Sequence, residues 1–468
     1  MILKWYFFAV FSCLALLAVA QPDSSNQSVY IERIELKGND KTKDYIILRE
    51  LTFQQGDTLL KKELFEHLTR SKKNIFNTRL FNFVDVAGIA THDSVFTVVI
   101  DLQERWYLWP KPLLENADRN FNTWWQDKDL SRLSYGMFVR KFNVRGRNET
   151  LQLNFQWGFE RQLSATYSMP FIDSNKKNGL NLRAGYSTFR EVNYASEGNK
   201  RSFISSSSGE PLQQLFYAGA DFVRRGGLYF RHTAGVTYHQ VKVKDSLQLN
   251  ADEFLLNNNS KMEYLSFNYN FRFDKRNNIV YPLTGQLVDV NLRYRNGGMF
   301  STSAGFELLE ASTVINQHSQ LKERLYAGGS IRAKTTLAGT PPYFVQRGFG
   351  YDTFIRGYEL YVMDAQDFIA FKSHLKYALV PTRKGDLPLL KDDKFKKFFY
   401  AFYLNLNFDI GYANDELYAS ENPLSNNLLM GYGAGLDFVS YYDIVIRAEY
   451  SRNLENEGGI FLHFKKAF

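Results

Sequence analysis

From about residue 118 onward, apolar and polar side chains alternate with a period of two. In Met262 to Arg276, Leu265, Phe267, Tyr269, Phe271 and Phe273 fall on one face, opposite Ser266, Asn268, Asn270, Arg272 and Asp274. In Phe402 to Ala413, Phe402, Leu404, Leu406, Phe408, Ile410 and Tyr412 oppose Tyr403, Asn405, Asn407, Asp409 and Gly411. Successive side chains of a strand point to opposite faces, so each stretch predicts a strand with one apolar and one wet side. A soluble sandwich also alternates. The number of such stretches, an export-type N-terminus and a terminal strand ending in Phe468 favour a barrel with lipid outside and water within.

Residues 29 to 105 carry a different rhythm, in the order strand, helix, helix, strand, strand. Val29 to Lys37 alternates and stops at the turn signal Gly38-Asn39, and Lys41 to Leu51 places Tyr45, Ile46, Leu48 and Leu51 at helical spacing. After Gly56-Asp57, the residues Leu60, Leu64, Leu68, Ile75 and Phe76 form an apolar helical stripe. Asn82 to Ala90 and Val95 to Glu104 read as a closing hairpin.

Loop lengths set the direction of each strand. The polar segments Glu191 to Leu212, Val243 to Lys261, Leu337 to Asp367 and Asn414 to Asn427 are long, whereas Arg145 to Asn148, Gly226-Gly227 and Tyr441-Tyr442 are short. Long loops outside and short turns on the periplasmic side match outer-membrane barrels. About ten strands precede the loop holding Arg356 and about five follow it, and an even total near 16 requires one more. The expected place is Asp118 to Trp125, where alternation is poor. A weakly paired first strand there would leave a soft seam against Ile460 to Phe468, an edge able to accept another strand.

The first twenty residues carry Lys4, an apolar run from Trp5 to Val19 and the ending Ala18-Val19-Ala20, which predicts a signal peptide over residues 1–20. The single cysteine, Cys13, lies within it, so the mature chain is expected to have no disulfide or thiol chemistry. Beyond it no stretch of about 18 apolar residues predicts a membrane helix. Aromatic content of 16 % at a mean hydropathy of -0.34 suits a barrel with one lipid face. A net charge of +8 spread over this length, without a basic helix interleaved with aromatics, gives no reading as a nucleic-acid binder.

Catalytic signatures are missing from the sequence. There is no Gly-x-Ser-x-Gly elbow or His-Glu-x-x-His, and His67, His92, His232, His239, His318, His374 and His463 are scattered. Gly431-x-Gly433-x-Gly435 has the period of a strand, which makes it a row of small side chains on one barrel face and not a phosphate loop. No cofactor or metal is expected, and the chain reads as a non-enzyme.

The motifs then converge. Gly38-Asn39, Ile47-Leu48-Arg49-Glu50, Gly56-Asp57, Leu80-Phe81 and Val84-Asp85-Val86 resemble a POTRA domain. Arg356-Gly357-Tyr358 resembles the inward-folding loop motif of the BamA and TamA superfamily. Phe273-Asp274-x-Arg276 with Tyr281-Pro282 and Gly285 resembles its strand-turn-strand signature, and Phe408-Asp409-Ile410-Gly411 the strand whose aspartate receives the loop arginine.

The resemblance implies a mainly β protein. It would have a signal peptide at 1–20, one small α+β POTRA-like periplasmic domain at 29–105, a linker at 106–117 and a transmembrane antiparallel β-barrel of about 16 strands at 118–468. It implies a Gram-negative outer-membrane location, with outer-membrane lipids, unfolded outer-membrane or secreted client proteins, and periplasmic chaperones or accessory assembly subunits as partners. The implied role is insertion, assembly or translocation of other proteins, with client strands templated at the seam. The alternative is a passive channel or structural barrel that keeps the fold. Two departures from the family pattern are Asn407, where an aromatic is usual, and Lys376, where many members carry a glutamate. Lys376 is expected to repel Arg356 unless Asp364, Asp367 or Asp409 offsets it.

Overall fold

The computed structural model describes residues 27–116, 133–244, 254–255, 259–298, 305–386 and 393–465. The expected signal peptide, residues 1–20, and the Asp118 to Trp125 segment lie outside them.

The N-terminal unit comprises β1 (Ser28–Lys37), α1 (Asp44–Leu48), β2 (Thr58–Leu60), α2 (Lys61–Asn77), β3 (Phe81–His92) and β4 (Val95–Glu104). Its sheet runs β2-β1-β4-β3, with β1 and β4 parallel. The α2 stripe of Leu64, Leu68 and Ile75 packs with Ile47, Val84, Val98 and Ile100 into one core. Gly38 adopts φ +81°, and a Cβ on it would stand 1.9 Å from the carbonyl oxygen of Leu102. That position therefore excludes other residues. The first helix is shorter than its apolar spacing predicts, because the chain before it is held otherwise: Glu104 accepts hydrogen bonds from Thr42 N–H (2.7 Å) and Oγ1 (2.6 Å). The three-residue β2 is too short to show a period.

The barrel begins with β5 (Leu108–Asn116), β6 (Leu133–Val144), β7 (Glu149–Gly158), β8 (Arg161–Met169) and β9 (Asn178–Phe189). An outer hairpin, β10 (Glu191–Glu197) and β11 (Lys200–Ser205), interrupts it. It continues through β12 (Gln213–Arg225), β13 (Phe230–Val243), β14 (Lys261–Asp274), β15 (Gly285–Asn296), β16 (Glu307–Lys322) and β17 (Leu325–Ala338). After the long loop come β18 (Asp367–Asp386), α3 (Asp393–Lys396), β19 (Lys397–Asn414), β20 (Leu428–Ser440), β21 (Val445–Asn453) and β22 (Gly458–Lys465). Sixteen of these strands form one antiparallel sheet that runs in order from β5 to β22 and skips the hairpin.

One boundary needs correction. Most of the expected linker over 106–117 is strand, because Leu108–Asn116 is itself the first strand, paired with β6 from Leu108 opposite Lys141 to Asn116 opposite Leu133. Pro110 and Pro112 hid it from pattern reading. Proline is depleted in strands, yet an edge strand tolerates it.

Alternation sorts the wall as expected. On β19, Leu404, Leu406 and Phe408 face outward, and Asn405, Asn407 and Asp409 are buried in the lumen. None of the described helices is long and apolar enough to cross a membrane. The N-terminal unit is docked on the short-turn end of the barrel. Lys43 N–H donates to Gly146 O, Arg225 grips Glu50 with two bonds (2.6 and 2.7 Å), and Asn82 bonds Tyr442.

Candidate functional site

The loop joining β17 to β18, residues 339–366, turns into the lumen and lies against the inner faces of β19, β20 and β21. Small residues make the room. A Cβ on Gly411 would stand 2.6 Å from the Ile355 side chain, and one on Gly431 would stand 1.8 Å from the Arg356 carbonyl oxygen. Gly357 turns with φ +81° over Asn453, whose side chain donates to the Gly357 carbonyl at 2.8 Å. Tyr358 is buried with Phe349, Ile355, Met363, Ala413 and Leu429.

Arg356 is 7 % exposed and Asp409 is fully buried. The guanidinium donates through Nη1 to Asp409 at 2.5 Å, and the Arg356 backbone N–H donates to the other Asp409 oxygen at 3.2 Å. A second carboxylate, Glu449 on β21, accepts from Arg356 Nε at 2.7 Å and from Asn407 Nδ2 at 2.8 Å. Lys372 on β18 completes the group at 2.9 Å from Asp409, while its Nζ also donates to the Phe354 carbonyl. Arg447 Nη1 lies 3.7 Å from Glu449, so two carboxylates face three cations in a shielded place, and removing one member would leave buried charge only partly compensated.

The sequence reading missed Glu449 and Lys372. Both face inward at alternate positions, Glu449 beside Arg447 and Ser451, and that parity is the signal that could have found them. Lys376 does not approach Arg356 as expected. The β18–β19 register sets Lys372 opposite Asp409 and Lys376 opposite Asn405, so Lys376 lies about 13 Å further along the strand. There its ammonium rests 3.9 Å from the Tyr281 ring centroid.

The strand-turn signature lies at the other end of the lumen. Arg276 holds Asp274 through Nε (2.8 Å) and Nη2 (2.7 Å), and Arg272 adds a third contact. Gly285, with φ +97°, reopens the strand where a Cβ would meet Lys275 O at 2.3 Å. Tyr281, followed by half-buried Pro282, tucks inward and donates to Asp437 at 2.7 Å. The Asn77 side chain at the end of α2 donates to Arg276 O and accepts from Ile279 N–H. The signature turn is therefore also a docking point for the N-terminal unit.

Among the described residues, Glu359, Glu449 and His463 are the group of potential metal donors whose ligand atoms lie within 4.8 Å of one another. Glu449 is already engaged by Arg356 and Asn407, so this group reads as part of the charge cluster.

The sheet order begins at β5 and ends at β22, and no ladder joins the two among the described residues. Phe354 of the loop stacks on His463 of β22 at 5.5 Å, so the inward loop also touches this last strand.

Comparison with known proteins agrees with this architecture. Residues 143–354 match the Omp85 superfamily domain, and residues 29–105 match the surface antigen variable number repeat, the POTRA domain. The outer membrane protein assembly factor BamA of Nitratidesulfovibrio vulgaris is 39 % identical over 67 residues, 14 % of this chain and 8 % of that protein's length. CdiB from Escherichia coli superimposes with a TM-score of 0.52 at 12 % identity, over 93 % of this chain and 74 % of that one. BamA from Haemophilus ducreyi lacking POTRA domains 1–3 gives 0.49 at 13 % identity, over 93 % and 83 %. Residues 143–354 carry the Omp85 superfamily domain and residues 29–105 the POTRA domain, which makes the chain a Gram-negative outer-membrane barrel of the BamA and TamA type with its POTRA domain on the periplasmic side.

Proposed function

We propose that this protein assists the insertion, assembly or translocation of other proteins at the outer membrane, and that client strands are templated at the seam between β5 and β22. The observation that carries the reading is the missing ladder between these two strands among the described residues. Backbone N–H and C=O groups facing hydrocarbon are strongly unfavourable when unpaired, so such an edge recruits a strand. The POTRA domain, fixed to the periplasmic turns by Arg225 with Glu50 and Arg105 with Asp443, stands where a client arriving from the periplasm would meet it. Arg356, Gly357 and Tyr358, with Asp409 and Gly411, act as a lock that keeps the loop inside the lumen.

The inward loop and turn argue against the alternative of a passive pore. The loop takes up space along β19 to β21, and the turn at Tyr281 takes up space at the periplasmic end. Depletion of the protein followed by quantitative comparison of the outer-membrane proteome tests the proposal. Loss of one or more barrel or secreted proteins is expected. An unchanged proteome together with a large, steady single-channel conductance would favour the passive barrel.

A further inference from the structure

Where α2 of the POTRA domain faces the rim of the barrel, the two border a cavity of about 750 Å³, a volume in the range of small-molecule sites. Eight of its lining side chains are lysine or arginine and three are acids. The acids are already engaged. Arg225 grips Glu50, Arg276 and Arg272 hold Asp274, and Arg70 reaches Glu66 at 3.1 Å. The charge that remains is positive, and it comes from both walls of the cavity.

Strand register builds the barrel wall of this cavity. Arg225 of β12 stands opposite Arg231 of β13, and Arg231 stands opposite Arg272 of β14. Three guanidinium groups thus share one row, an arrangement that like-charge repulsion opposes. The outer two have acids, Glu50 for Arg225 and Asp274 with Asp289 for Arg272. Arg231 in the middle lines the cavity, exposed, with no ion pair or side-chain hydrogen bond among the described residues. Its neighbour Phe230 is 43 % exposed and packs on Phe273 at 4.8 Å, so parity turns Arg231 to the wet side of the wall and away from lipid. Lys275 in the following turn and Lys73 on α2 also line the cavity, exposed and without an acidic partner among the described residues. Tyr229 in the same lining has a buried hydroxyl with no hydrogen-bond partner.

We propose that this cavity binds a small, water-soluble phosphate-bearing anion that bridges α2 and the barrel rim. A carboxylate offers two oxygens in one plane, whereas a phosphate group offers three strong acceptor oxygens in different directions and carries close to two charges near neutral pH. It accepts from Arg231 and Lys275 on the barrel wall and from Lys73 on the POTRA wall, with the Tyr229 hydroxyl as a further donor. The bound anion relieves the repulsion within the arginine row. It also adds a second charged link between the two walls, beside the one that Glu50 makes with Arg225. A lipid headgroup carries the same phosphate chemistry, and the inward turn of Arg231 favours the water-soluble source.

The test uses the full chain in dodecyl maltoside at constant ionic strength, with sodium pyrophosphate as the probe. Millimolar pyrophosphate should raise the thermal midpoint and slow hydrogen exchange at the end of α2 and in the 275–284 turn. Arg231→Gln and, on the opposite wall, Lys73→Gln should each shift the half-effective pyrophosphate concentration up by about tenfold. Without the anion, Arg231→Gln should leave the midpoint equal or higher, because a like charge has gone from the row, whereas loss of a merely structural arginine would lower it. Heat-modifiable migration checks that Arg231→Gln is folded, and Lys73→Gln, at an exposed helix position, keeps the test open if it is not. No response to pyrophosphate or to phosphatidylglycerol in mixed micelles overturns the site, and an unchanged response in either folded variant overturns the bridge. A response to phosphatidylglycerol alone overturns the soluble source. An equal response to a polyglutamate peptide overturns the assignment to phosphate.

Discussion

The Cα of Gly431 lies beneath the carbonyl of Arg356, so that a methyl group on this glycine would stand 1.8 Å from the oxygen. The loop and the barrel wall are fitted at this point with no space to spare. Gly431→Ala should lift the loop from β20 and destabilise the barrel by about 1–3 kcal/mol, the usual range for overpacking. Protease cleavage within residues 339–366 and the thermal midpoint report it. Gly329→Ala, where a Cβ would meet nothing nearer than the Phe371 ring at 3.6 Å, is the control and should change neither.

Arg356 is shared between two carboxylates, and this makes its replacement informative. Arg356→Ala leaves Glu449 with Asn407 and Arg447, and Asp409 with Lys372. Because these partners remain, the loss should fall near the low end of the range for a broken buried pair, about 3 kcal/mol. Arg356→Lys should recover less than half of it, since one ammonium lacks the planar fork that reaches both acids. Melting of the detergent-solubilised barrel decides this, and an unchanged midpoint for Arg356→Ala would refute the lock.

The POTRA domain is held by charged contacts as well as apolar ones, since Phe171 and Phe142 of the barrel join its core and Phe76 lies 6.5 Å from Phe399. Glu50→Gln removes the carboxylate gripped by Arg225 and should weaken docking by about 2 kcal/mol. Faster hydrogen exchange at the end of α2 and in the 275–284 turn, with the barrel strands unaffected, is the expected pattern.

Asp364 lies on the inward loop, outside the spanning strands, where it bonds Ser196 and Tyr351. Burial pushes its carboxyl above the ordinary range, and those two hydrogen bonds only partly oppose this. The folded state therefore binds a proton that the unfolded chain releases, and this group's contribution to stability rises as pH falls through the folded pKa toward about 4. Asp364→Asn should raise the thermal midpoint at neutral pH and flatten that part of the pH profile. A midpoint that falls at neutral pH would show that the ionised form is the one stabilised.

Much of this arrangement was legible in the sequence, and the misses have physical causes. The resemblance pairs Asp409 with Arg356, and the uninterrupted alternation of its strand fixes the face of Asp409. Parity could not say whether Lys372 or Lys376 meets Asp409, since both face inward and only the register of β18 against β19 separates them. Glu449 escaped because β21 mixes Arg447, Glu449 and Arg452 among few apolar residues. The first strand was placed too late because Pro110 and Pro112 read as a linker, although their missing N–H groups face the open edge. The POTRA order was readable from Gly38 and Gly56, where the backbone takes positive φ.

The central claim is that the β5–β22 seam must open for clients to be assembled. Cysteines at Leu114 and Ile460, on the outward faces of the two edge strands, can be joined by a short bifunctional thiol reagent in a Cys13→Ser background. Client assembly is then followed with and without reductive release of the link. The account predicts that assembly stops when the seam is stapled and returns on release. Undiminished assembly with the link fully formed would contradict it.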